Sequence, residues 1–134
     1  MTPEAFQAAL ERGDIDAAGE MLADNVVFRS PAVFEPYEGK AATLVLLKAV
    51  SSVFQDFRYV RSFVEEHAMG LALVFEARIG TRRIEGVDFL RLNSLGLVDD
   101  FRVMVRPHSG LEALMAAMVP AIERVLAEQG NAVS

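Results

Sequence analysis

Apolar residues recur along this chain with two different periods, and the change of period separates a helical part from a part rich in strands. Near the start, the three- and four-residue spacing of an amphipathic helix predicts one helix from Pro3 to Gly13 and a short second one capped by Asp14. Residues 25–31 have the pattern of a short strand, and residues 40–54 that of a buried helix.

Beyond residue 55 the apolar residues alternate with polar ones, which is the period of a half-buried β-strand. Consecutive strands joined by short turns form an antiparallel meander. The pattern predicts four such strands: residues 56–66, 70–80, 82–93 and 97–107.

A last helix is predicted after the strands, since Ser109 and Glu112 have the spacing of a capping box. Pro120 is expected to kink or divide this helix, and Gly130 to end it. The element order predicts an α+β fold with a single domain, residues 1–134. A strongly bent sheet that wraps around helices then makes a cone with an apolar interior.

One carboxylate interrupts the alternation in residues 82–93. Asp88 lies on the same strand face as Ile84, Leu90 and Leu92, while the other charges lie on the opposite face. Burying an ionised carboxylate without a partner is costly, so Asp88 must be neutral, paired or hydrated. Desolvation raises a carboxyl pKa, and such an acid can donate a hydrogen bond to a ligand or act as a general acid–base. The alternative is a structural aspartate bonded to a neighbouring hydroxyl or backbone group.

Composition and charge narrow the classes of function. The net charge of −6 argues against a nucleic-acid surface, which needs clustered Lys and Arg. The chain has no cysteine, and no apolar run approaches the ~18 residues of a membrane span. The first residues do not resemble a targeting peptide, so we expect a cytoplasmic protein with no membrane partner. No His–carboxylate cluster or cofactor-binding motif is present, so we expect neither a metal nor a cofactor.

Three segments resemble a known group: "AALERGDIDAAGEMLADNVVFRSP", "YEGKAA" and "IEGVDFLRLNSLGLVDDFRVMVRP". They are similar to the nuclear transport factor 2-like superfamily, and within it to the SnoaL-like polyketide cyclase and ketosteroid isomerase branch. The resemblance implies a cone-shaped α+β barrel, in which a curved antiparallel sheet wraps around the N-terminal helices, with a pocket inside. It also implies a homodimer through the outer sheet face, where Val87, Phe89 and Met104 form an apolar centre among charges.

The catalytic residues of this branch match only in part. Ketosteroid isomerases use an aspartate before a proline, where this chain has Ser30, and a tyrosine in the first helix, where it has Phe6. Their acid in the third strand of the meander corresponds to Asp88, which is also compatible with the acid–base of SnoaL-type cyclases. Steroid isomerisation by the usual mechanism is therefore disfavoured. Limonene epoxide hydrolases place an acid where this chain has Val103, so that activity is disfavoured as well.

The remaining pocket wall is expected to be apolar and aromatic, which suits a hydrophobic, oxygenated small molecule. The same residues equally suit an ordinary core. With Asp88, the predicted lining is Phe28, Ser30, Tyr37, Phe54, Tyr59, Phe75, Leu90, Phe101, Val103 and Val105.

The leading hypothesis is a small-molecule pocket protein of the SnoaL-like kind, as an isomerase, cyclase or lyase with Asp88 as acid–base or hydrogen-bond donor. One alternative is a non-catalytic ligand-binding or dimerisation module. Another is an epoxide hydrolase-like enzyme that uses Asp88 with Arg82 or Tyr37. The sequence leaves the roles of Arg106 and His108 open.

Overall fold

The computed structural model describes residues 3–133 and has the predicted α+β architecture, with an open, curved six-stranded sheet. Its helices are α1 (Pro3–Glu11), α2 (Ile15–Gly19), α3 (Lys40–Val53) and α4 (His108–Val133), with one turn of 3₁₀ helix at Glu66–Ala68. Its strands are β1 (Leu22–Arg29), β2 (Tyr37–Glu38), β3 (Gln55–Val64), β4 (Gly70–Ile79), β5 (Arg82–Leu92) and β6 (Val98–Arg106). No helix within residues 3–133 is long and apolar enough to cross a membrane.

The strand order in the sheet is β2-β1-β6-β5-β4-β3. Strands β3 to β6 form the predicted antiparallel meander, and β1 joins it parallel to β6. Asp88 occupies the middle of β5, where its register partners are Leu73 on β4 and Val103 on β6. The acid therefore lies between two apolar neighbours near the centre of the sheet.

The N-terminal boundary signals are confirmed. Gly13 follows α1 with a φ of 75°, a left-handed conformation that favours glycine. Asp14 caps α2, since its side chain accepts a hydrogen bond from the N–H of Ala17 at 3.1 Å.

The C-terminal boundaries differ from the prediction. Helix α4 begins at His108, not at a capping box built by Ser109, and it runs past Gly130. Pro120 lies within a single continuous helix and does not divide it. Packing explains this: Ala121 and Val125 are buried against Ala49 of α3, and such contacts outweigh the one backbone hydrogen bond that a proline removes. The two-residue strand β2, in a segment for which the periodicity predicts no element, pairs with β1.

The core lies on the concave side of the sheet. The alternating residues of β4 from Leu71 to Ala77 are all buried. Phe6, Phe75 and Phe101 are the largest fully buried side chains, each worth about 1.5–3 kcal/mol of transfer free energy.

Candidate functional site

A cavity of about 640 Å³ opens between the concave face of the sheet and helices α1, α3 and α4. This is the size of a site for a small organic molecule. Its wall is mostly apolar. Leu46 and Val50 contribute from α3, and Leu114 and Met118 from α4.

An aromatic cluster forms the part of the cavity wall where α3 passes into β3. Phe54 and Phe57 stack with ring centroids 5.5 Å apart and planes 5° from parallel. Phe57 also meets Phe75 at 5.2 Å and the edge of Tyr59 at 5.0 Å. These rings pack against one another, so this part of the wall is a continuous aromatic surface.

Asp88 lies in the same cavity wall with 6% of its surface exposed. The hydroxyl group of Tyr59 donates a hydrogen bond to its Oδ2 at 2.6 Å, the short distance typical of a charge-assisted bond. Among the described residues, every buried side-chain nitrogen or oxygen has a hydrogen-bond partner. Within the described residues only Oδ2 of Asp88 has such a partner, so Oδ1 is not a buried atom. Because Asp88 lines the cavity, Oδ1 is the oxygen that a ligand can reach.

The protonation of this pair follows from burial. Desolvation raises the pKa of Asp88 to about 7, although the hydrogen bond from Tyr59 opposes the rise. Burial, and after it the negative charge of Asp88, raises the pKa of Tyr59 above its usual value. Tyr59 therefore remains the donor, while Asp88 exists in both protonation states near neutral pH.

A second carboxylate lies nearby. Glu11, the last residue of α1, lines the cavity, and its Oε2 accepts a hydrogen bond from the backbone N–H of Tyr59 at 2.8 Å. A chain of contacts thus runs from Glu11 through Tyr59 to Asp88.

Most of the predicted site residues come together in this cavity. Leu90 and Val105 lie on the predicted inward face but outside the cavity lining, because neighbouring side chains cover them. With Asp88, the predicted residues that do line the cavity are Phe28, Ser30, Tyr37, Phe54, Tyr59, Phe75, Phe101 and Val103.

The positions that depart from the isomerase pattern have structural roles. Phe6 packs edge-on against Phe101, with ring centroids 6.0 Å apart, in the core. The hydroxyl group of Ser30 accepts hydrogen bonds from the backbone N–H groups of Ala32 and Val33 at the cavity edge. A phenol is nevertheless present, because Tyr59 supplies one from β3.

The residues with open roles lie away from the cavity. His108 is exposed and pairs with Glu112 one turn further along α4. Arg106 pairs with Glu85 on the outer face of the sheet. Arg82, suggested as a partner of Asp88, is not part of the cavity lining.

Sequence reasoning missed the contributions of Glu11 and α4. Apolar residues recur along α4 at helical spacing, but no local pattern indicates that they face a cavity. Glu11 carried no signal, because a glutamate near a helix end is ordinary. The α4 residues in the lining are Leu114, Met115, Met118, Val119 and Ile122.

This chain is similar to a known protein family and to several solved structures. The model of the SnoaL-like domain family matches residues 4–100. No curated protein gives a significant match.

Two solved structures are similar over most of the chain. A steroid delta-isomerase from Pseudomonas aeruginosa is 37% identical, with 90% of this chain and 88% of that chain covered and a TM-score of 0.84. An uncharacterized protein from Silicibacter pomeroyi with a cystatin-like fold is 33% identical, with 90% and 85% covered and a TM-score of 0.84. The epoxide hydrolase/cyclase-like enzyme SalBIII, involved in pyran ring formation, shares the fold at 20% identity, with 78% and 87% covered and a TM-score of 0.64.

Proposed function

The chain belongs to the SnoaL-like domain family, and from that premise we propose that it is an acid–base enzyme acting on a hydrophobic, oxygenated small molecule. Asp88 transfers the proton, and the hydroxyl group of Tyr59 stabilises its carboxylate by donating a hydrogen bond. The observation that carries the proposal is the hydrogen bond of 2.6 Å between these two residues, in the wall of an otherwise apolar cavity. The reaction class is isomerisation, cyclisation or elimination without a cofactor.

The carboxyl group of Asp88 can act in two protonation states, each with Tyr59 as its hydrogen-bond partner. In the protonated state, the O–H on Oδ1 donates to a ligand carbonyl while Tyr59 holds Oδ2. In the ionised state, Oδ1 accepts a proton from a carbon beside a carbonyl, and the hydrogen bond from Tyr59 stabilises the charge. A pKa near 7 populates both states of Asp88 at neutral pH, which is the condition for efficient general acid–base catalysis.

An isomerisation illustrates the proton balance. The carboxylate of Asp88 removes a proton from one carbon of an unsaturated ketone, and the carboxylic acid so formed returns it to another carbon of the same molecule. No atom is gained or lost. This differs from the pattern of ketosteroid isomerases in that Asp88 replaces the base missing at Ser30. The relative named a steroid delta-isomerase, at 37% identity, supports this reaction class.

The test uses a panel of hydrophobic β,γ-unsaturated ketones, including a steroid, with the conjugated product followed by ultraviolet absorbance. Asp88→Asn should lower turnover about 10²–10⁴-fold, the usual contribution of a general acid–base. Asp24→Asn is the matched control, because Asp24 is an exposed acid outside the cavity lining. Full turnover by Asp88→Asn would refute the role of this acid.

Two other functions predict different results when ligand binding and an epoxide panel are added to this experiment. A non-catalytic binding module would convert no ketone, and both the wild type and Asp88→Asn would bind a neutral apolar phenol with similar affinity. This alternative is favoured by the serine and phenylalanine at positions 30 and 6.

An epoxide hydrolase-like enzyme would act on an epoxide panel, with Tyr37 as the second polar group in the cavity. The apolar Val103 opposite Asp88 disfavours it.

We further propose that a second copy of the chain covers the outer sheet face. Phe89 and Met104 are 41% and 53% exposed there, on neighbouring strands, and charged side chains surround them. Met104→Lys should convert a dimer to a monomer in sedimentation analysis. Leu95→Lys is the control, since Leu95 is an exposed apolar residue in the β5–β6 turn. A wild-type monomer at high concentration would refute the proposal.

A further inference from the structure

Glu11 makes one contact that the proposed reaction does not use. Its Oε2 accepts the backbone N–H of Tyr59 at 2.8 Å, across 48 residues of sequence. Helix preference does not explain this carboxylate, because a negative charge at the last residue of a helix opposes the helix dipole. Its position is therefore better explained by what it contacts.

Tyr59 lies in a weakly constrained part of the sheet. Strand β3 is an edge strand, so one side of its backbone has no neighbouring strand. The register with β4 shifts on both sides of Tyr59, between Gln55 and Arg58 and again between Tyr59 and Arg61. Such irregularities interrupt the backbone ladder, which is regular here only over Arg58 and Tyr59.

We infer that Glu11 is a positioning residue of the site: it fixes the backbone of Tyr59 at the free edge of β3 and so keeps the phenol on Asp88. The inference rests on the proposed function, in which these two residues form the working pair. A hydrogen bond of 2.6 Å tolerates little displacement, and a shift of the β3 backbone would move the hydroxyl group with it. Through Glu11, helix α1 thereby fixes the position of the Tyr59 hydroxyl group in the cavity wall.

The other charged and titratable groups of the cavity do not replace this contact. Arg12 pairs with Asp14 at 3.4 Å, and Tyr37 lies at the exposed edge of the cavity. Leu73 and Val103, the register partners of Asp88 on β4 and β6, carry no charge. Of the titratable groups lining the cavity, Tyr59 is the one hydrogen-bonded to Asp88 among the described residues.

The experiment measures the apparent pKa of Asp88 by carbon NMR of labelled aspartate carboxyls. The full chain is used, as wild type, Glu11→Ala, Glu11→Gln and Tyr59→Phe. Glu11→Gln keeps an oxygen that can accept the N–H of Tyr59, whereas Glu11→Ala removes it. Glu128→Ala is the control, because it deletes an exposed glutamate of α4 outside the cavity lining.

Loss of positioning and loss of the Glu11 charge would shift the apparent pKa of Asp88 in opposite directions. Loss of the phenol contact should raise the apparent pKa of Asp88, by about half to one unit in Glu11→Ala, as in Tyr59→Phe. Glu11→Gln should stay near the wild type. If Glu11 acted only through its charge, both substitutions would lower the pKa, because each removes a nearby negative charge.

Each outcome separates the inference from the proposed function. A raised pKa in Glu11→Ala and Tyr59→Phe, with rescue in Glu11→Gln, supports positioning. A raised pKa in Tyr59→Phe alone, or a lowered pKa in both Glu11 variants, overturns the role of Glu11 and leaves the Asp88–Tyr59 pair intact. An unchanged pKa in Tyr59→Phe overturns the pair and the inference together.

Discussion

Replacing Asp88 by asparagine should make the protein more stable at alkaline pH. The pKa of Asp88 rises from 3.8 in an unfolded chain to about 7 in the fold, because burial disfavours the carboxylate. The folded state therefore holds a proton that the unfolded state has lost between these two values. The free energy of unfolding must then fall as pH rises through this window, and it levels off above pH 7.

The magnitude follows from the shift in pKa. A difference of about three units, at 1.36 kcal/mol per unit, corresponds to about 4 kcal/mol of stability lost by the wild type between pH 4 and pH 8. An asparagine at position 88 has no titrating group, and its amide oxygen can still accept the hydrogen bond from Tyr59. The variant should therefore lack this decline.

Equilibrium unfolding in urea between pH 4 and pH 9 tests the prediction, with far-ultraviolet circular dichroism as the probe because the chain has no tryptophan. The other carboxylates titrate in both proteins, so they cancel in the difference between the two curves. Asp24→Asn should run parallel to the wild type, because Asp24 is exposed.

Two results would contradict the reasoning. A constant difference between wild type and Asp88→Asn across the whole pH range would mean that Asp88 does not titrate with a raised pKa. A variant less stable than the wild type above pH 7 would mean that the buried carboxylate is favourable, and that desolvation is not its dominant interaction.

Three further predictions concern residues of β3, β5 and β6. Tyr59→Phe should move the end of the pH-dependent decline above pH 7, because it removes the interaction that lowers the pKa of Asp88; urea titrations at each pH measure this. Gly86→Ala should destabilise the fold by about 1–3 kcal/mol, since a methyl group there would clash with the backbone of Met104, and the thermal midpoint would fall. Phe101→Ala should cost about 3–5 kcal/mol in urea unfolding and leave the pH dependence of Asp88 unchanged.

Periodicity predicted most helices and strands correctly because it reports local geometry. Alternation over residues 82–93 placed Asp88 on the apolar face of its strand, and the structure buries it there. The same rule placed Leu90 and Val105 on this face but carried no information on their depth along the cone. Leu90 lies within the main core, and Val105 packs among Phe75 and Ile84. Alternation assigns a face, whereas neighbouring side chains decide which part of that face remains open.

By itself, the sequence determined most of the helices and strands, the α+β class and the inward position of Asp88, since these depend on residues near one another in the chain. Only the tertiary structure decided the surroundings of that acid. The contact between Tyr59 and Asp88 joins residues 29 positions apart, and that between Glu11 and Tyr59 joins residues 48 apart. Both involve β3, whose register with β4 is irregular and which α1 contacts. Such contacts arise from how whole elements pack, and no local pattern of residues encodes them.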